Sequence, residues 1–204
     1  GIYRNQYPMS MSDVLGSGYL YFFLIIYACV ITMRLLSEEQ RSGTLEVILT
    51  APVRDWELVM GKYLSSLIVF TITLIISLYQ VAILAAVGEP DWGTTLSAYL
   101  GFFLVGGALL AIGTMTSSFT RSQAVAVIVS IAVGAILWLL QFVGQFLVGA
   151  SSNWREIYEE VAFFTHYEGF LSGLISSKDV VYYISWIAAS LFLATQTLQA
   201  RRWR

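Results

Sequence analysis

A charged segment between two apolar runs, Ser37–Lys62, holds the residues of this chain that are best suited to chemistry with a partner. Its sequence is SEEQRSGTLEVILTAPVRDWELVMGK. If residues 44–51 form a helix, Leu45, Ile48 and Leu49 fall on one face at i, i+3 and i+4 spacing. A short helix with one apolar face and one polar face can lie on a membrane surface or press on a soluble partner, and we favour the partner.

The ends of this helix are also encoded in the segment. Gly43 gives conformational freedom at the entry, and Pro52 disfavours helix at the residue before it. The charges could instead belong to a solvated loop, but such a loop needs neither an apolar face nor its own stop signals. Asp55 is expected to cap the helix that follows.

Catalytic chemistry has little support in the rest of the chain. Gly61 and Lys62 do not complete a phosphate-binding loop, because Tyr63 follows them and Trp56 stands where the first glycine is needed. The single histidine, His166, is better explained as a hydrogen-bonded structural residue than as a catalyst. The single cysteine, Cys29, excludes an intrachain disulfide and a cysteine-based metal site. We therefore expect no enzyme activity, no cofactor in this chain and no nucleic-acid binding.

Composition identifies a membrane protein. The 204 residues are 57% hydrophobic and 12% charged, against about 45–50% and about 25% in soluble domains. Apolar runs long enough to cross a bilayer predict an all-α helix bundle in one transmembrane domain, residues 1–204. The predicted spans are residues 14–36, 64–87, 95–115, 124–148 and 180–198.

Charge placement predicts the orientation. Eight of the eleven Lys and Arg residues fall at the end of the first span, in Ser37–Lys62, in the turn at Arg121 or at the C-terminus. The positive-inside rule places these regions, including the C-terminus, in the cytoplasm. The N-terminus then lies outside, so we expect a further span before Gly1. The loop 151–179 becomes external.

Polar and small residues within the spans leave alternatives open. Gln80, Gln141 and Gln145 could line a translocation path or form interhelical hydrogen bonds. The small residues of the third span, with Gly107 and Ala111 four apart, are expected to pack helices closely. No carboxylate lies deep in a span, which disfavours an ion-coupled carrier.

The external loop is expected to begin with an amphipathic helix on the membrane surface. Ile157, Val161 and Phe164 would share its apolar face, and the glutamates would lie elsewhere. This helix could gate a vestibule or act as an interfacial brace.

Two stretches carry a family resemblance. MRLLSEEQRSGTLEVILTAPVRDWELVMGKYLSS, residues 33–66, resembles the cytoplasmic loop of type-2 ABC exporter permeases, and HYEGFLSGLISSKDVVYYISW…LQARRWR, residues 166–204, is similar to the GldF and NosY branch. The resemblance implies a six-helix half-transporter that pairs with a second permease copy and with a separate ATPase that binds ATP and Mg. It also implies that the ATPase docks on Glu38, Glu39, Arg41, Gly43, Thr44, Leu45, Glu46 and Leu49.

In that branch a membrane subunit with an external domain often accompanies the permease. The competing interpretation is a non-transporting membrane scaffold that anchors other proteins, because the sequence defines no substrate pocket.

Overall fold

Helices account for most of the residues that the computed structural model describes, which are 14–44, 53–87, 91–146, 158 and 160–202. They are α1 (Gly18–Thr32), α2 (Ser37–Ser42), α3 (Asp55–Val87), α4 (Trp92–Phe119), α5 (Gln123–Phe146), α6 (Thr165–Leu171) and α7 (Ser177–Arg202). These described ranges contain no strand. The predicted all-α class is confirmed.

Five helical stretches are long and apolar enough to cross a membrane, as the sequence predicts. They are Gly18–Ser42, Asp55–Ala86, Trp92–Phe119, Gln123–Val143 and Ser177–Ala200. A helix satisfies its backbone hydrogen bonds within itself, which is what the hydrocarbon region requires of a crossing segment. The chain is therefore a membrane helix bundle.

The first span is not the single helix over residues 14–36 that hydropathy predicts. Residues 33–36 form a turn between α1 and α2. Thr32 Oγ1 donates to the carbonyl of Ala28 at 2.7 Å, and Ser37 Oγ donates to that of Met33. Hydroxyls that bond to the preceding turn compete with the backbone ladder and bend helices. The turn at residues 33–36 separates α2 from α1.

The helix of the second span begins at Asp55, before the apolar run over residues 64–87 and close to the cap position that the sequence predicts. Asp55 is the first helical residue of α3 and not the residue before it. The carboxylate of Glu57 reaches back to accept from the backbone N–H of Arg54 at 3.0 Å. This is the return half of a capping box, in which Glu57 bonds to the backbone N–H of the residue before α3.

Helix α4 forms the centre of the bundle. Of its apolar window 78% is buried, against 11% for α3. Its glycines give neighbouring helices room to approach: Gly106 faces the ring of Phe70 on α3, and Gly113 faces Thr32 on α1. A Cβ at Gly101 would lie 2.6 Å from Phe170 of α6. The small residues of this span therefore serve packing, as expected.

The end of the bundle where α1 stops, α3 starts and α4 passes into α5 is called the basic end. Arg34, Arg41, Arg54, Lys62 and Arg121 belong to it. The other end, where α4 and α7 start, is called the opposite end. The division into a basic end and an opposite end agrees with the two sides that the placement of Lys and Arg in the sequence predicts.

An aromatic cluster closes the opposite end. Phe164 stacks on Tyr21 of α1 with ring centroids 4.6 Å apart. The hydroxyl of Tyr167 donates to the carbonyl of Ala98 on α4 at 3.2 Å, and that of Tyr183 donates to Phe163 at 2.7 Å. These bonds fix α6 between α4 and α7.

The predicted surface helix of the external loop lies mostly outside the described residues, and its shared apolar face is not found in the described part. Phe164 is 2% exposed, but Val161 is 54% exposed, so the two do not share a buried face. Ile157 lies outside the described residues. His166 is buried, and its Nδ1 lies 2.7 Å from Oδ1 of Asp179, which supports its structural interpretation.

Candidate partner-docking site at the basic end

The side chain of Ser117 on α4 forms hydrogen bonds with the start of the short helix α2. The hydroxyl oxygen of Ser117 accepts from the backbone N–H groups of Leu36 and Ser37, each at 3.1 Å. The same hydroxyl donates to the carbonyl of Met33 at 3.3 Å. The break after α1 leaves backbone N–H groups without a helical partner, and Ser117 supplies one. The start of α2 is thereby held against the end of α4.

The inner face of α2 is held by further bonds. The amide of Gln40, which is 7% exposed, donates from Nε2 to the carbonyl of Ser118 at 2.9 Å. Glu39 Oε1 forms an ion pair with Nζ of Lys62 on α3. Helix α2 is therefore bound to both α3 and α4.

Two buried acceptor atoms on this inner face have no hydrogen-bond partner among the residues that the structure describes. They are Oε2 of Glu39 and Oε1 of Gln40. A buried unpaired acceptor is costly. The contact between α2 and the bundle is therefore not fully satisfied in this arrangement.

The outer face of α2 is exposed and is called the docking face, which consists of Glu38 and Arg41; the exposed Thr44 follows Gly43, beyond the end of α2. Glu38 and Arg41 are three residues apart on the helix and have no ion pair in the part of the chain that the structure describes. Gly43 ends α2 with φ of 74°, in the left-handed region that favours glycine. The predicted freedom at Gly43 is confirmed, and it turns the chain away from α2.

The docking residues that the sequence predicts are of three kinds: exposed, turned inward, and outside the described residues. Glu38, Arg41, Gly43 and Thr44 are exposed, whereas Glu39 is turned inward to Lys62. The predicted helix over residues 44–51, with Leu45, Glu46 and Leu49, lies outside the described residues apart from Thr44, which is helical.

Sequence reasoning missed the residues that hold α2 in place. Ser117 and Ser118 lie about 80 residues from their partners, in a run of small polar residues, Thr116–Ser118, at the end of an apolar span. That run is the one signal that could have pointed to them. Gln40 was overlooked because its neighbours in the sequence are charged.

The predicted path residues are not brought together. Gln80 is exposed and lines a groove between α1, α3 and α4, and Gln141 on α5 is not part of that groove. The backbone carbonyl of Gln141 accepts from the hydroxyl of Tyr158 at 2.8 Å. The side chain of Gln145 is outside the described part of the chain. Among the described residues, no group of three His, Cys, Asp or Glu residues could hold a metal ion.

These features define a class of protein: a multi-pass membrane helix bundle with a polar helix fastened to one end. The chain matches the family described as ABC-2 family transporter protein over residues 3–201, and it belongs to that family. No curated protein sequence matches it. Family membership makes the chain a membrane permease of an ABC transporter and implies a component without ATPase activity of its own.

Proposed function

We propose that this permease couples ATP hydrolysis by a separate ABC ATPase to export, or to work on an external partner, and that the ATPase docks on α2 and the segment after it. The basic end then faces the cytoplasm of a bacterial cell, and the protein lies in the plasma membrane with its C-terminus inside. The excess of Lys and Arg at that end supports this orientation.

The observation that carries the proposal is the two-sided character of α2. Its inner face is bonded to α3 and α4 through Lys62, Ser117 and Ser118, and its outer face presents Glu38 and Arg41 to solvent. A force on the outer face would therefore reach the membrane helices with little loss. A polar helix that served only as a loop would need no such attachment.

The proposed cycle uses two packings of the bundle. Closure of two ATPase subunits on ATP moves α2 as a rigid element, and α1, α3 and α4 follow because they are bonded to it. Glu38 and Arg41, together with Glu46, set partner choice and register through charge complementarity. Leu45 and Leu49 supply apolar contact to the ATPase or pack back on the spans.

The working unit that we propose contains two permease copies and two ATPases, which bind the ATP and Mg. Family membership supports both the pairing and the ATPase partner. The resemblance of residues 33–66 and 166–204 favours the GldF and NosY branch, and with it an accessory membrane subunit with an external domain.

Charge reversal on the docking face tests the proposal. Glu38→Arg and Arg41→Glu are each expected to reduce recovery of the ATPase with the tagged permease in mild detergent and to lower ATP turnover by the complex. Glu168→Arg, on an exposed residue at the opposite end, is the matched control and should change neither. Equal ATPase recovery for all variants would argue for the scaffold interpretation instead.

A further inference from the structure

A groove of about 490 Å³ runs between α1, α3 and α4. This volume is within the range of about 300–1,000 Å³ that small-molecule sites occupy. Leu20, Phe23, Phe70 and Leu74 are among the apolar side chains that line it, and none of the described lining residues is charged. Phe23 is 63% exposed at its edge, so the groove opens towards the bilayer. Its walls suit a hydrocarbon chain.

A stripe of polar residues follows one face of α3 along this groove. Thr73, Ser77 and Gln80 lie at i, i+4 and i+7, which puts them above one another on a helix. The hydroxyl of Thr73 bonds to that of Tyr27 at 2.8 Å, and the hydroxyl of Ser77 lies 3.2 Å from that of Tyr99. Gln80 has no hydrogen-bond partner among the described residues. The stripe therefore ends in one unpaired amide.

The depth of Gln80 indicates what could pair with it. Lys62 marks the basic end of the span, and Gln80 is about 27 Å further along the helix axis. Since the hydrocarbon core is about 30 Å thick, Gln80 lies near its opposite boundary, where the ester groups of lipids are found. An unpaired amide at that depth is costly, so a neutral acceptor beside it would be stabilised.

We propose that this groove holds a membrane phospholipid from the opposite-end leaflet, with one acyl chain along Phe23 and Leu74 and an ester carbonyl that accepts from Gln80. A second protein helix is the competing occupant. Membrane helices pack through small residues, and the described residues of the groove lining include no glycine or alanine. A flexible acyl chain fits the large, irregular walls better. The proposal is independent of where the ATPase docks.

Photocrosslinking identifies the occupant directly. Benzoylphenylalanine replaces Phe23 in the full chain, and the complex is reconstituted in nanodiscs of palmitoyl-oleoyl phosphatidylethanolamine and phosphatidylglycerol. The complex is then returned to detergent, washed extensively and irradiated. Phe192 on α7, which is 61% exposed, is the matched control position.

We expect the lipid to remain bound through washing, so that irradiation adds a phospholipid-sized mass to the permease at position 23. Little of this adduct is expected at position 192. Gln80→Leu should lower the yield at position 23 about three- to tenfold, the effect of one hydrogen bond. Three results would overturn the proposal. The first is an adduct the size of a protein chain, and the second is detergent adducts alone. The third is equal lipid yields at positions 23 and 192 that do not change in the Gln80→Leu variant.

Discussion

Glu39 and Lys62 form an ion pair that joins the short helix α2 to the start of α3. The two residues lie near opposite ends of the segment Ser37–Lys62, which the sequence predicts to be the site of partner docking. The side chain of Glu39 is 19% exposed and that of Lys62 is 30% exposed, so the pair is partly screened by solvent. Under the proposed function, we expect the pair to matter for transmission of movement more than for stability.

The first prediction concerns this ion pair. In a double-mutant cycle of Glu39→Gln and Lys62→Met, the coupling energy for unfolding in detergent is expected to be about 0.2–1 kcal/mol, as for partly exposed pairs. ATP turnover by the complex should fall more than stability does. The reversed pair, Glu39→Lys with Lys62→Glu, should recover part of the turnover. Turnover at the unmutated level in both single variants would contradict the transmission role.

The second prediction concerns Ser117. Ser117→Ala removes the acceptor of two backbone N–H groups at Leu36 and Ser37, and an unpaired buried group costs about 1–3 kcal/mol. Hydrogen exchange of residues 36–40 is expected to become faster. Ser118→Ala is the control, because the bond from Gln40 goes to the Ser118 carbonyl, which the substitution keeps. Similar exchange in both variants would mean that Ser117 does not hold α2.

The third prediction concerns the glycines of α4. Gly106→Ala would push a methyl group into the ring of Phe70, and overpacking of this kind costs about 1–3 kcal/mol. Gly61→Ala on α3 meets no atom within 4 Å and should be neutral or stabilising by up to about 1 kcal/mol. Thermal unfolding in detergent measures both. A stable Gly106→Ala variant would show that α3 and α4 can separate without loss.

The fourth prediction concerns pH at the opposite end. Hydrogen bonds from the Thr94 hydroxyl, at 2.5 Å, and then from the backbone N–H groups of Thr94 and Gly93 hold the pKa of Asp91 below its ordinary 3.8. A carboxylate with a lowered pKa stabilises the folded state above the ordinary value, and that contribution is lost as the pH falls through the folded value.

Asp91→Asn is the variant that isolates this effect, because asparagine also caps helices but does not titrate. The unfolding temperature of the unmodified protein relative to Asp91→Asn is expected to be constant from pH 7 to about pH 5 and to fall below about pH 4. A difference that stays constant down to pH 3 would rule out this linkage.

How far the sequence predicts the structure differs between the spans and their attachments. Hydropathy predicts the five membrane helices because the bilayer demands about 20 apolar residues from each. It misses the break at residues 33–36, since the hydroxyls of Thr32 and Ser37 bend the helix without lowering its hydropathy much. It also misses Ser117, whose partners are about 80 residues away.

The candidate site shows the same limit. Charge and spacing identify Glu38, Glu39 and Arg41 as a group, but they do not tell which side chain turns inward. That choice depends on Lys62, which reaches Glu39 only after α2 and α3 have packed on α4. Local patterns predict the elements, and contacts between distant residues decide their faces.

The central claim is that the exposed face of α2 contacts an ATPase. A photoreactive residue at position 38 or 41, in the complex purified with its ATPase, tests it most directly. We predict an adduct between the permease and the ATPase at both positions, and none when the same residue replaces Glu168 at the opposite end. The account would be contradicted if no ATPase adduct formed at positions 38 and 41, or if the adduct were equally abundant at position 168.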